Sequence, residues 1–198
     1  MNTIRKENSK LQGKDLVHIG IFTAIYFVVV FAVAMLGYIP IFIPLLCVLV
    51  PIIGGIPFML FLTKVKKFGM IMIMSIIMGI LMLLTGMGYH CIYVGAISGL
   101  IAEVIYKSGN YRSSSKAIMT CGFFSIWVWG NFIPFFIDIE GYFATRKEFG
   151  QEYADALTSL MPIWMMPTLI IAAFVSGLVG GYLGKMALKK HFKKAGIA

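Results

Sequence analysis

Few side chains in this sequence can do chemistry, and most of them fall near the ends of long apolar runs. His90 sits between Tyr89 and Tyr93, and Asn131 follows Trp127 and Trp129 within "SIWVWGNFIPFFID". Asp138 ends that run, Trp164 opens the next, and Tyr38 heads "GYIPIFIP". An amide, an imidazole and a carboxylate set among aromatic rings make a wall suited to a small polar ligand that contains a ring. Trp127 and Asn131, four residues apart, share one face of an α-helix, so both are assigned to the pocket with Tyr38, Tyr89, His90, Tyr93, Asp138 and Trp164. Trp129 lies about 160° away from Trp127, toward lipid or a neighbour, and reads as an aromatic-belt residue at the membrane surface.

The reactive patterns of hydrolases are missing. There is no Walker A loop, no HExxH, no GxSxG and no pair of acids within the apolar runs, so the sequence offers neither an ATP site nor a catalytic metal centre, and no cofactor is expected. Cys47, Cys91 and Cys121 lie in apolar runs without CxxC or histidine spacing and read as small buried hydrophobes.

The elements that must position the pocket are membrane helices. The chain is 60% hydrophobic and 13% charged, with a mean hydropathy of +0.90, far from the roughly 25% charge of soluble domains. Six apolar segments fall at 16–36, 43–62, 69–84, 89–106, 117–137 and 160–184, giving an all-α integral membrane protein with one bundle and no soluble domain. The third and fourth are near the short end of what spans a bilayer, and "TGMGYH" joins them by a tight turn.

Charge placement gives the sidedness. Of the 17 basic residues, all but Arg146 and Lys147 fall before the first segment, after the second, after the fourth or after the sixth. The positive-inside rule then places both termini in the cytoplasm, with 185–198 as a basic tail. The net charge of +9 is therefore a topology signal and a contact with anionic lipid, not a nucleic-acid surface. "RKENSK" followed by an apolar run ending in Ala32-Val33-Ala34 has the outline of a cleavable signal. The run lacks a polar c-region, so an uncleaved first span is the preferred reading.

Several segments depart from plain anchors. Pro40, Pro44, Pro51 and Pro57 fall between residues 40 and 57, at the entry to and within the second segment, which predicts an extended outer loop and a helix beginning near Leu45, or else a kinked helix with a proline-rich entry. Segment 138–159 is acidic on one side, with Phe149, Tyr153, Ala156, Leu157 and Leu160 at helical spacing. It reads as an outer amphipathic helix, either a spacer or a lid. Glu103, the acid inside a span, is either an interfacial partner of Lys107 or a functional group. His18 reads as interfacial. Gly20 and Ala24 give the first helix a small-xxx-small face, and Gly177, Gly180, Gly181 and Gly184 give the last helix another.

With those residues in place, "HIGIFTAIYF", "GMGYHCIYVGAISGLIAEVIYKSG" and "GYFATRKEFGQEYADALTSLMPIWMM" together make the chain resemble a substrate-binding (S) subunit of an energy-coupling factor (ECF) transporter. More narrowly it is similar to the Trep_Strep or MptD-like group, and the resemblance covers nearly the whole chain. It implies six transmembrane helices and an outward cavity, built by the later helices and capped by the first outer loop, that binds a vitamin-like micronutrient. It also implies docking of the first helix onto a transmembrane T subunit through an AxxxA pattern, here Gly20 and Ala24, and two ATPase subunits that drive transport. The nature of the substrate does not carry over. A competing expectation is a membrane enzyme or assembly factor acting on lipid, for which His90 and Glu103 would have to act from one helix although thirteen residues, roughly 20 Å, separate them.

Overall fold

The computed structural model describes residues 10–194, with side chains through Lys189. Arg5, Lys6 and most of the basic tail from 190 onward lie outside the side chains described. The described residues are mostly helical, with short turns between the helices and without strands. Helices α1 (Gly13–Ala34), α2 (Phe42–Leu62), α3 (Met70–Leu84) and α4 (His90–Ser108) are followed by α5 (Ser114–Ser125), a 3-10 stretch (Ile126–Asn131) and α6 (Ile133–Ile137). The chain then forms α7 (Ile139–Ala144), a short 3-10 turn (Lys147–Phe149), α8 (Gly150–Leu160) and α9 (Met165–Lys194).

Four helical stretches, Gly13–Tyr38, Phe42–Leu62, His90–Ser108 and Met165–Lys189, are long and apolar enough to cross a membrane. The other two expected spans differ in form. Helix α3 has 15 residues, about 22 Å of rise, against a hydrocarbon core of roughly 30 Å. The expected span at 117–137 is not one helix, since α5 gives way to the 3-10 stretch and then α6. Pro134 sits in the first turn of α6; it supplies no N–H, and its ring would clash with the Gly130 carbonyl of a continuous helix. Gly130 itself lies against Cys91 of α4, where an added Cβ would come within 3.0 Å of the Cys91 Cα.

Packing is set by small residues. Backbones of α2 and α9 meet where Gly55 and Gly180 face each other, so closely that a Cβ on either would overlap the other helix. The glycines of α9 thus serve the interior of the bundle. Helices α3 and α4 run antiparallel, with Gly79 against Ile92, Ser75 Oγ donating to the Gly95 carbonyl at 2.6 Å, and Ile71 beside Glu103.

Glu103 does not form the interfacial pair with Lys107 that its spacing allows. It is fully buried and accepts hydrogen bonds from the Ile71 and Met72 amides at 2.7 and 3.2 Å. Those amides belong to the first turn of α3 and have no carbonyl partner within the helix, so the carboxylate of α4 caps α3 from outside. Lys107 instead lies over the Phe68 ring, 4.9 Å from its centroid.

Basic residues gather at one end. Lys14, Lys64, Lys66, Lys67 and Lys107 line an open cleft with His18, and Arg112, Lys185 and Lys189 line a neighbouring groove. Lys67 ties the two sides of the cleft, donating to Asp15 at 2.8 Å and to the Lys10 carbonyl at 2.9 Å.

Candidate functional site

A cavity of about 190 Å³ opens at the end opposite the lysines. Its inner wall depends on α1. Residues Ile19, Phe22, Thr23, Tyr26 and Val30 recur every three or four positions and form the buried face of that helix. Tyr26 reaches across the bundle because Gly54 of α2 leaves room: a Cβ there would come within 2.9 Å of the ring. The Tyr26 hydroxyl accepts a hydrogen bond from Trp127 Nε1 at 3.2 Å. Trp127 is 1% exposed, and its indole meets the Tyr26 ring edge-on, as does Phe124. The indole nitrogen is thus satisfied by protein, and the ring is fixed as part of the cavity wall.

Asn131 lines the same cavity, held on both sides of its amide. Its Nδ2 donates to the Val128 carbonyl at 2.9 Å, and its Oδ1 accepts from the Cys91 thiol at 3.0 Å. In a 3-10 stretch, with three residues per turn, Trp127 and Asn131 stand about 120° apart rather than on one α-helical face. They line one cavity because its wall curves around the stretch. Trp129 is no free belt residue: its Nε1 donates to the Met166 carbonyl at 2.9 Å and joins the stretch to α9.

The first outer loop is less extended than its prolines predict. Met35–Tyr38 forms a 3-10 turn and α2 begins at Phe42, which leaves Pro44 in the first turn of the helix, where proline is tolerated. Gly37, Tyr38 and Ile43 of this region line the cavity. Across it lies the segment from α7 to α8, which is broken into pieces rather than one amphipathic helix. Phe149, Tyr153 and Leu157 follow one another at helical spacing on its inner side, and Leu157 is fully buried.

That segment is clasped to the bundle at two points. Tyr153 Oη donates to the Gly37 carbonyl at 2.6 Å, and its ring stacks on Phe149, which packs against Tyr38. Burial pushes the Tyr153 hydroxyl up to about 12, with nearby Tyr142 adding and Arg146 opposing, so the phenol keeps its proton and donates. At the second point Arg146 Nη2 donates to the Gly86 carbonyl at 3.1 Å, between α3 and α4.

The expected pocket residues therefore divide. Tyr38, Trp127 and Asn131 line the cavity. Tyr89 and Tyr93 are exposed and pack around His90, which is buried at the start of α4 and does not line the cavity. Asp138 accepts from the Gly141 amide at 2.9 Å as the cap of α7, and Trp164 is 63% exposed before α9. Residues that sequence reasoning passed over include Tyr26 behind the wall and Tyr142 and Arg146 in the cover, whereas Tyr153 belongs to the segment read as a spacer or a lid. Arg146 carried a signal: it is one of two basic residues on the side that the positive-inside rule leaves poor in them.

His90 and Glu103 stand at opposite ends of α4, one stacked on Tyr89 and the other capping α3, so they share no reaction centre. Among the described residues no group of histidine, cysteine, aspartate or glutamate could hold a metal ion. What the arrangement offers is a walled, partly covered space with positioned aromatic rings and few polar groups. Comparison with known proteins adds a family but no relative of known activity. No curated protein and no solved structure matches the chain. Residues 13–194 match the family described as hypothetical bacterial integral membrane protein (Trep_Strep), and with its apolar helices the chain belongs to that family of multi-pass membrane proteins.

Proposed function

We propose that this protein is the substrate-binding subunit of an ECF-type importer in the bacterial plasma membrane, capturing a small vitamin-like micronutrient from outside. The observation that carries the reading is the covered aromatic cavity at the end opposite the lysines. Positive-inside topology puts that lysine-rich end in the cytoplasm and opens the cavity outward. All six passes, including short α3 and the broken α5–α6 segment, then cross the bilayer, and both termini are cytoplasmic. A broken helix at membrane depth is tolerated where it lines a cavity, and the 3-10 stretch carrying Trp127 and Asn131 does so.

Docking to a T subunit is assigned to the outer face of α1. Gly20 and Ala24 are exposed there beside Ile21, Ile25 and Val28, and a Cβ on Gly20 would meet nothing. That strip lets another helix approach closely. Two ATPase subunits joined to the T subunit supply the hydrolysis, and the chain delivers its cargo by reorienting within the complex. Co-expression of the tagged chain with a T subunit and ATPases tests this. Stoichiometric co-purification of wild type, and its loss in Ala24→Trp with the monomer still monodisperse, is the expected result. If the folded wild type retains no module, the importer reading fails.

A further inference from the structure

The geometry points to an anionic group, a carboxylate on a largely apolar body, as what the cavity recognises, with Arg146 as the residue that binds it. This rests on reading the cavity as a substrate site. Arg146 is the charged side chain in the cavity lining. The neighbouring acids do not answer its charge. Asp138 caps α7, Asp155 accepts from Gln151, and Glu140, Glu148 and Glu152 are exposed. Among the described residues the ion pair found is Lys67–Asp15, at the far end of the bundle.

Neutral groups fix the guanidinium in place instead. Nη1 donates to the Tyr142 carbonyl and the Thr145 hydroxyl, each at 3.0 Å, and the group lies over the Tyr142 ring at 4.1 Å. Nη2 donates to the Gly86 carbonyl and more weakly to the Met87 sulfur at 3.9 Å. The Nε–H has no partner among the described residues. Nε and Nη2, whose bond to Gly86 leaves it only the weak contact with the Met87 sulfur besides, make one edge of the fork, the edge that takes a carboxylate side-on. A partly buried cation oriented by carbonyls and a ring, but paired with no carboxylate, attracts an anion more strongly than it would in water.

The rest of the lining describes the remainder of the ligand. Val30, Leu46, Val50, Phe132 and Phe135 offer dispersion contact but no hydrogen bonds, and Trp127 offers a ring face or edge. A cation would meet Arg146 unfavourably, and a polyol would find only the few hydroxyl and amide groups of Tyr38, Thr85, Asn131, Tyr142 and Tyr153 to replace its water. The acidic residues of the outer segment are not among those lining the cavity.

The test uses the full chain in nanodiscs and two fluorinated probes of one shape, 4-trifluoromethylbenzoate and 4-trifluoromethylbenzamide, followed by fluorine NMR against empty nanodiscs. The benzoate is expected to bind at least about tenfold more tightly than the amide, the range of a charge-assisted hydrogen bond. Arg146→Gln should erase the difference, and Arg146→Lys should keep part of it. Equal affinity of wild type for both probes, absence of saturable benzoate binding, or a preference that survives Arg146→Gln would each overturn the assignment. Because no other subunit is present, the outcome is independent of whether the chain co-purifies with an ATPase module.

Discussion

Glu103 and Arg146 are both charged side chains set into apolar surroundings, and they are used in opposite ways. Glu103, 0% exposed near the lysine end, faces the first turn of α3 and accepts two of its amides. Its Oε2 is met by a helix N-terminus inside the same bundle, while Oε1 is buried without a hydrogen-bond partner among the described residues. Arg146, at the cavity end, is positioned by carbonyls, a hydroxyl and a ring, and among the described residues no carboxylate meets it. A charge inside a membrane bundle is therefore not in itself a mark of function. What differs is where the partner lies: Glu103 is held by amides inside the bundle, whereas Arg146 lines the cavity, where the proposed anionic ligand would complete its pairing.

Removing Glu103 should have the largest effect. Glu103→Ala leaves the Ile71 and Met72 amides unpaired at a buried helix start and opens a void, a loss of about 3 kcal/mol or more. Thermal unfolding in detergent should show a strong drop in midpoint, while Glu103→Gln, still able to accept, should recover most of it. Probe binding at the cavity, measured well below the midpoint, should be unchanged. If Glu103→Gln keeps full stability yet abolishes binding, the division between the two ends is wrong.

Much of the membrane architecture was legible because hydropathy and charge act locally. Four helices emerge where the long apolar runs predict them, and the basic residues of separate loops converge on one end. The break at Ile126–Asn131 was harder to see, since an apolar run of span length hides the conflict between Gly130, packed on α4, and Pro134. Placing residues by α-helical angle still brought Trp127 and Asn131 to one cavity and turned Trp129 away from it, but could not show that the neighbour it meets is a backbone carbonyl of α9. Depth along the helices was a poor guide to Tyr89, His90 and Tyr93, because one ring of residues at a single depth can face either the cavity or the outside. Glu103 could not be placed from its own helix, for its partners lie more than 30 positions away in sequence.

The Tyr26–Trp127 contact sharpens the cavity side of the comparison at an intermediate size. Tyr26→Phe keeps the ring contacts to Phe58 and Phe124 but leaves the buried indole N–H without its acceptor. A cost of about 1–2 kcal/mol is expected. The Trp127 ring should also lose its fixed orientation, which would show as broader tryptophan emission in a Trp129→Phe, Trp164→Phe background. Equal emission width with and without the hydroxyl would mean that packing alone positions the indole.

The smallest effect belongs to the clasp over the cavity, and its signature is kinetic. Tyr153→Phe removes one hydrogen bond, to the Gly37 carbonyl, while the ring keeps its stack on Phe149. The net worth of such a bond is about 1 kcal/mol, or roughly fivefold. Helix α8 should remain folded, because Leu157 is fully buried and holds it to the bundle independently of the hydroxyl. The change should therefore appear in how readily the segment lifts: dissociation of a bound carboxylate probe should quicken about fivefold, with little change in thermal midpoint. Arg146→Gln differs in kind, since it should act on the preference for the anion as well as on the attachment to Gly86. If Tyr153→Phe instead alters the benzoate-to-benzamide preference and leaves the rate of release untouched, Tyr153 contacts the ligand directly and the segment over the cavity is part of its wall rather than a cover that opens.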